Sequence, residues 1–227
     1  MFKIETHMHT AEGSACATLP AKKQIMQYKK AGYDGVIVTD HFVNGNSAVD
    51  RSLSWELQMD QQFKGYELAS KKGQKIGIKV YQGIEFAFHG TEFLVIGLGK
   101  EWFIEHEELK MAPPEVFLDK FLEAGAAVIQ AHPFREAPYI SKIRLYPENV
   151  DAIEVFNHRN QVSWNEKALA LAKGYNLPMT AGSDCHHKGE CHSGIIVDRV
   201  IETTEDLIKL IKSGQGFTPF EEISQLN

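Results

Sequence analysis

The chain of 227 residues holds only three cysteines, Cys16, Cys185 and Cys191. So sparse and odd a set cannot build a disulfide framework. The fold must therefore rest on a packed core, with reduced thiols expected in a cytoplasmic setting. No apolar run approaches the ~20 residues that a bilayer-spanning helix needs. The N-terminus lacks the charged start, apolar middle and small-residue cleavage site of a secretory leader. Basic charge is also scarce: 24 Lys and Arg stand against 30 Asp and Glu, for a net charge of −6. That balance argues against a general nucleic-acid-binding surface, which would be basic. The G-x-x-x-x-G-K-[ST] phosphate loop is missing. G-x-S-x-G is missing too, and no Ser/His/Asp arrangement stands out. Without an internal repeat or a linker-like stretch, residues 1–227 read as one domain.

What is present is a regular alternation of short apolar, β-branched runs and amphipathic stretches. Runs expected to be strands lie near residues 2–6, 35–39, 76–84, 93–96, 126–131, 152–156, 177–181 and 195–197. Helices are expected from Pro20 to Lys30, from Leu53 to Lys72 with Gly73 as the stop, over Trp102 to Met111, from Glu115 to Ala124, from Ser163 to Lys173 and from Glu205 to Lys212. The fourth run can follow the third as a hairpin across His89-Gly90. Alternating strand and helix imply parallel strands with right-handed crossovers. Seven or so strands in this length suit a compact α/β barrel, slightly short of a full (β/α)₈ barrel.

The informative residues sit at strand ends. The first run ends in His7-Met8-His9, and in an extended backbone residues i and i+2 point the same way. The second run ends at Asp40-His41, the third at Glu85, the fifth at His132-Pro133, the sixth at Asn157-His158, and the seventh leads to Asp184-Cys185-His186. Parallel α/β folds carry their sites at the C-terminal ends of the strands. So many ionisable residues in one place would be costly to bury unless paired or bound to metal. The donor set is nitrogen and oxygen, which suits Zn²⁺, Mn²⁺ or Fe²⁺. At three or four protein ligands per ion, the candidates hold at least two ions, and Glu85 is the natural bridge.

His7-x-His9, Thr39-Asp40-His41, Gly83-Ile84-Glu85, Ala131-His132-Pro133 and Gly182-Ser183-Asp184-x-His186 resemble, in that order, the motifs of the PHP (polymerase and histidinol phosphatase) superfamily. The resemblance implies a distorted (β/α)₇ TIM-like barrel and a two- or three-metal phosphoesterase centre. It implies His7, His9, Glu85 and Asp184 around one metal, Glu85 and His132 at a second, and His41 and His186 at a third. The chain departs from the pattern twice. Ser14 and Ala15 stand where many members carry a further His or Asp, which leaves Glu12 as the nearest carboxylate candidate. Leu94 stands where many carry a His, so that His158, His89 or water is left to complete the second position.

The expected function is hydrolysis of a small phosphate monoester, histidinol-phosphate-like or a nucleotide, by a metal-activated hydroxide. Glu85, Arg135 and His186 are the expected catalytic residues. Arg135, three residues beyond His132, can meet a phosphate bidentately, and His158 and Arg159 are further substrate-binding candidates. His186 or His158 would protonate the leaving alkoxide. Two other readings stay open. One is a 3′–5′ exonuclease or nucleic-acid phosphodiesterase of the PHP type, which needs a basic groove; the other is a non-catalytic regulatory module that keeps a metal site.

Overall fold

A computed structural model of the chain describes residues 1–221. Its elements run β1 (Phe2–Met8), α1 (Ala21–Lys30), β2 (Gly35–Val38), α2 (Trp55–Gln62), α3 (Lys64–Ile76), β3 (Lys79–Phe88), β4 (Thr91–Ile96), α4 (Lys100–Glu105), α5 (Pro114–Glu123), β5 (Ala127–Ala131), β6 (Ala152–Asn157), α6 (Val162–Tyr175), β7 (Met179–Gly182), β8 (Ser193–Val197), α7 (Thr204–Ser213) and β9 (Phe217–Glu221). The strands are ordered β7-β6-β5-β4-β3-β2-β1-β8-β9. Immediately after β7 the chain returns to β1. Cys185 donates its N–H to the His7 carbonyl (3.3 Å) and accepts from His9 N–H (3.0 Å), which nearly closes the sheet into a barrel. The first half of β1 pairs instead with β8, which pairs in turn with β9, both antiparallel.

The hairpin expected across His89-Gly90 interrupts the parallel alternation. β3 turns through His89 and Gly90, both at positive φ, and β4 returns antiparallel to both β3 and β5. The expected helix over residues 53–72 is two helices that meet at Phe63. Gly73 does not stop α3; a Cβ there would lie 2.6 Å from the Ile78 carbonyl oxygen. It is a close-approach glycine, and Gly77, at φ 69°, provides the left-handed cap. The stretch 102–111 divides into the end of α4 and a five-residue 3₁₀ turn, Glu107–Met111. No helix among the described residues is long and apolar enough to cross a membrane.

Two apolar layers hold the barrel. Outside it, Phe42, Phe86, Phe93, Phe103, Phe117 and Phe121 pack between β3–β6 and the helices α2, α4 and α5. Within it, Ile4, Ile37, Leu94, Ile129 and Ile195 pack with Leu207, Leu210 and Ile211 of α7. Leu94 and Glu85 are paired across β3 and β4, two residue pairs deeper than Ala87 and Glu92 that lie toward the turn. The β1–β2 register slips between Glu5 and Met8. Ile4 therefore belongs to the inner layer while Met8 joins the cluster under α1, and the odd residues His7 and His9 are left to face the mouth.

Candidate metal centre

The structure brings His7, His9, His41, Glu85, His132, Asp184 and His186 together. Nitrogen and oxygen atoms fall into four overlapping groups, each with its atoms within 4.8 Å of one another: His7–His9–Asp184, His7–Glu85–His132, His41–Glu85–Glu92 and His9–His41–His186. Glu85 spans the set. One of its oxygens lies 3.3 Å from His7 Nε2 and 3.0 Å from His132 Nε2; the other lies 2.7 Å from His41 Nδ1 and 3.5 Å from His9 Nε2. Asp184 Oδ1 is 3.6 Å from His7 Nε2 and 3.3 Å from His9 Nε2. All of these residues are buried. His132 and Asp184 take positive φ of 28° and 52°, backbone strain that a functional constraint commonly sustains.

In His7, His9 and His186, hydrogen bonds to one ring nitrogen settle where the other points. A carboxylate can only accept, so His7 Nδ1–H donates to Glu154 Oε1 (2.9 Å). His186 Nδ1–H donates to the Asp184 carbonyl (2.8 Å). Ser14 Oγ–H donates to Asp40 Oδ1 (2.8 Å), so Ser14 Oγ accepts from His9 Nδ1–H (2.9 Å). Each Nε2 lone pair is thereby directed inward, the usual arrangement behind a metal-binding histidine. Glu154 and Ser14 could have been suspected only weakly: Glu154 is the one charged residue in the apolar run 152–156, and nothing local marks Ser14. Asp40 anchors this shell by also accepting from Thr10 N–H (2.6 Å) and Thr10 Oγ–H (2.7 Å).

The electrostatics suit cations. Burial works against charge on Glu85, but His41 and His7 outweigh it and hold the carboxyl well below its ordinary value. Asp184 is likewise depressed: burial opposes, while Arg135 and His7 prevail. Burial keeps His9 well below its ordinary value, with His186 and His41 adding repulsion, so it stands as a neutral donor. The donor set passes a direct test of fit. His41 Nδ1 and Glu85 Oε2 face each other at 2.7 Å, yet neither makes a well-oriented hydrogen bond. Two buried polar atoms so placed suit a shared cation better than each other.

Glu92, which had no place in the reading of the strand ends, lies 3.6 Å from His41 and 3.5 Å from His132 through its two oxygens. Glu12 stands apart from the groups, and its carboxylate accepts from Ala21 N–H at the start of α1 (2.8 Å). His158 is half-buried and packs against His192, ring centroids 4.1 Å apart with the rings tilted. His89, at the β3–β4 turn, lines the cavity over the groups. Arg135 is held by Asp184 Oδ2 (2.6 Å), Asn157 Oδ1 (2.9 Å) and Asn160 Oδ1 (3.1 Å). Arg159 reaches Glu190 at 3.2 Å. Both arginines line the cavity, about 720 Å³ in volume, together with Asn44, Asn46 and Tyr139.

A family model described as PHP-associated (PHP_C) matches residues 162–215, from α6 through α7. A two-domain protein from Bacteroides vulgatus ATCC 8482, containing a predicted PHP-like metal-dependent phosphoesterase, superposes with a TM-score of 0.71 at 17% identity; the match covers 97% of this chain and 65% of that one. The two share a fold. The five motifs and the match over 162–215, about a quarter of the chain, accord with a PHP relationship. Two further solved structures are more distant. A protein from Bifidobacterium adolescentis ATCC 15703, assigned as a metal-dependent phosphoesterase, gives a TM-score of 0.56 at 16% identity over 83% of this chain and 89% of that one. An amidohydrolase from Chromobacterium violaceum, with bound sulfate and no metal, gives 0.56 at 12% identity over 99% and 100%. No curated protein matches the chain. The chain spans 65% of the length of the B. vulgatus protein.

Proposed function

We propose that the chain is a metal-dependent phosphoesterase acting on a small phosphate monoester. The observation that carries this reading is the position of Glu85, whose two oxygens serve different ligand groups beneath an arginine-lined cavity. His7, His9, Glu85 and Asp184 would hold one divalent ion; Glu85, His132 and Glu92 a second; His41 and His186 a third. When bound, such ions polarise phosphoryl oxygens and make a bound water acidic enough to ionise near neutral pH.

The chain's own groups do the rest. Arg135 is fixed by three acceptors before any substrate arrives, so its charge is preorganised toward phosphoryl oxygens. Arg159, paired with Glu190 at the rim, is free to exchange that partner for a substrate anion. His186 commits Nδ1–H to the Asp184 carbonyl, which leaves Nε2 to serve the leaving alkoxide or an ion. Asn44, Asn46 and Tyr139 on the cavity wall would receive the alcohol part of the ester. A cavity of about 720 Å³ has room for a small phosphorylated molecule rather than a polymer. The net charge of −6 favours the small ester over a nucleic acid.

The test is turnover of a generic phosphate monoester by the protein loaded with Mn²⁺ or Zn²⁺, beside Glu85→Gln checked for an unchanged circular dichroism spectrum. The expected loss in kcat is at least about a hundredfold. Equal turnover by the two proteins would overturn the reading.

A further inference from the structure

Glu5 has no part in the roles assigned above, yet it is fully buried two residues before His7. Its Oε1 accepts two backbone bonds, from His7 N–H (2.8 Å) and from Ser183 N–H (2.9 Å). Its Oε2 accepts from Tyr28 O–H (2.9 Å) on α1. A carboxylate oxygen carries two lone pairs, so one atom can serve both N–H groups.

These bonds cross the seam where the sheet closes. Among the described residues β1 and β7 share no ladder, and one isolated bridge, Met8 with Cys185, joins the two edges. Side chains supply further ties. Thr6 Oγ–H donates to the Ala181 carbonyl (2.7 Å), and Glu5 takes Ser183 N–H two residues further on. The register of β1 on β2 slips between Glu5 and Met8, and His7 N–H goes to the Glu5 side chain. Ser183 is held from its other side as well, because its Oγ accepts from His192 N–H (2.9 Å) and Ser193 N–H (3.0 Å). The next residue is Asp184, at φ 52°, whose Oδ1 lies 3.6 Å from His7 Nε2. One buried oxygen thus grips the backbone of one candidate ligand and the peptide that leads into another.

We propose that Glu5 is a positioning residue: by holding His7 N–H and Ser183 N–H on one oxygen, it sets the spacing of His7 and Asp184 for the ion they share. The proposal rests on the metal-centre reading above. It requires an acceptor at this position and not a negative charge. Glutamine can keep its carbonyl oxygen on the two N–H groups and turn its amide toward the Tyr28 oxygen.

Glutamine and methionine are both close to glutamate in size, and only glutamine offers the acceptor. Zinc affinity is read by competition with a chromophoric chelator, and the visible spectrum of the cobalt-loaded protein reports coordination geometry. Glu5→Met, checked for folding by circular dichroism, should release one zinc ion about 10–100-fold more readily than wild type and should alter the cobalt spectrum. Glu5→Gln should restore both readouts. Glu5→Ala takes the place of the methionine variant should that one not fold. Leu118→Ala, a buried change on α5 in the outer apolar layer, is the control for lost stability alone and should keep wild-type affinity. Wild-type affinity in Glu5→Met, a loss in Glu5→Gln equal to that in Glu5→Met, or an equal loss in Leu118→Ala would overturn the positioning role and leave the phosphoesterase reading standing. No zinc uptake by the wild type would overturn the metal centre and this proposal together.

Discussion

His7 is tied to Glu154: its Nδ1–H donates to Oε1 at 2.9 Å, and both residues are fully buried. The second oxygen of Glu154 accepts from His132 N–H (2.8 Å) and Asn157 Nδ2–H (3.0 Å). One carboxylate thus sets the orientation of two candidate ligands on different strands. Glutamine has a single acceptor oxygen, so Glu154→Gln must set a donor against at least one of these donors. The expected result is a loss in zinc affinity of about 10–100-fold, measured by chelator competition, with the fold kept by circular dichroism. Glu154→Ala should cost more stability, about 1–3 kcal/mol for each donor left buried and unpaired. Unchanged affinity in Glu154→Gln would show that the His7 ring is held by something else.

Gly182 makes that contact possible. A Cβ at Gly182 would stand 2.4 Å from His7 Cβ and 2.6 Å from Glu154 Oε1. Gly182→Ala should therefore push β7 away from β1, at a cost of about 1–3 kcal/mol, and should weaken metal uptake as well. Gly174 is the control. It lies within α6 with nothing within 4 Å of its added Cβ, so Gly174→Ala should stabilise by about 0.5–1 kcal/mol. Chemical denaturation of both variants reads the sign directly. A harmless Gly182→Ala would mean that β1 and β7 can separate without loss.

Much of this architecture is legible in the residues, for a physical reason. In a parallel strand the inward side chain at the C-terminal end reaches the mouth, so His7, His9, Glu85 and His132 announce themselves as polar residues ending apolar runs. Glu92 escapes that rule because β4 runs antiparallel, and it is the beginning of this strand that reaches the mouth. Leu94 lies one step deeper, among inner apolar side chains, and offers no ligand at the place where a histidine was sought. Ser14 acts through hydrogen bonds closed by the fold, to residues beyond β2, so no local spacing reveals it, whereas Asp40 is marked by its place at the end of the second run. The break at Phe63 and the cap at Gly77 were missed because periodicity continues through both.

Ser14 is the most isolated test of this supporting shell. It accepts from His9 Nδ1–H and from His41 N–H (3.0 Å), and donates to Asp40. Ser14→Ala removes all three bonds with little change in volume. The variant should lose about 1–3 kcal/mol of stability and about tenfold or more in metal affinity. Isothermal titration with zinc, beside thermal melts of the apo-proteins, separates the two effects. Unaltered affinity would mean that the His9 ring needs no partner on Nδ1.

Metal loading should itself stabilise the fold. Five carboxylates, the buried Glu85, Asp184, Glu154 and Asp40 and the partly buried Glu92, lie in or beside the groups of ligands, and Arg135 sits among them. An ion that binds the native state alone stabilises it by about 2.7 kcal/mol at a hundred times its dissociation constant. For a chain of this size that corresponds to a rise in Tm of roughly 5–11 °C. Differential scanning calorimetry with zinc against a chelator checks it. A Tm indifferent to chelation would argue that the groups hold no ion in solution.

Glu92 and Glu12 make opposite predictions for metal content. Glu92 places its oxygens 3.6 Å from His41 Nδ1 and 3.5 Å from His132 Nε2, beside the bridging Glu85. Burial and the neighbouring Glu85 both raise its pKa, so a cation between the two carboxylates would relieve their repulsion. Glu92→Gln should therefore lower the bound metal by one ion per chain, read by elemental analysis after dialysis. Glu12 accepts from Ala21 N–H, so Glu12→Gln should keep the full metal content and change stability by no more than about 1 kcal/mol. The reverse outcome, with metal lost in Glu12→Gln and kept in Glu92→Gln, would place the missing ligand on the loop after β1 rather than on β4.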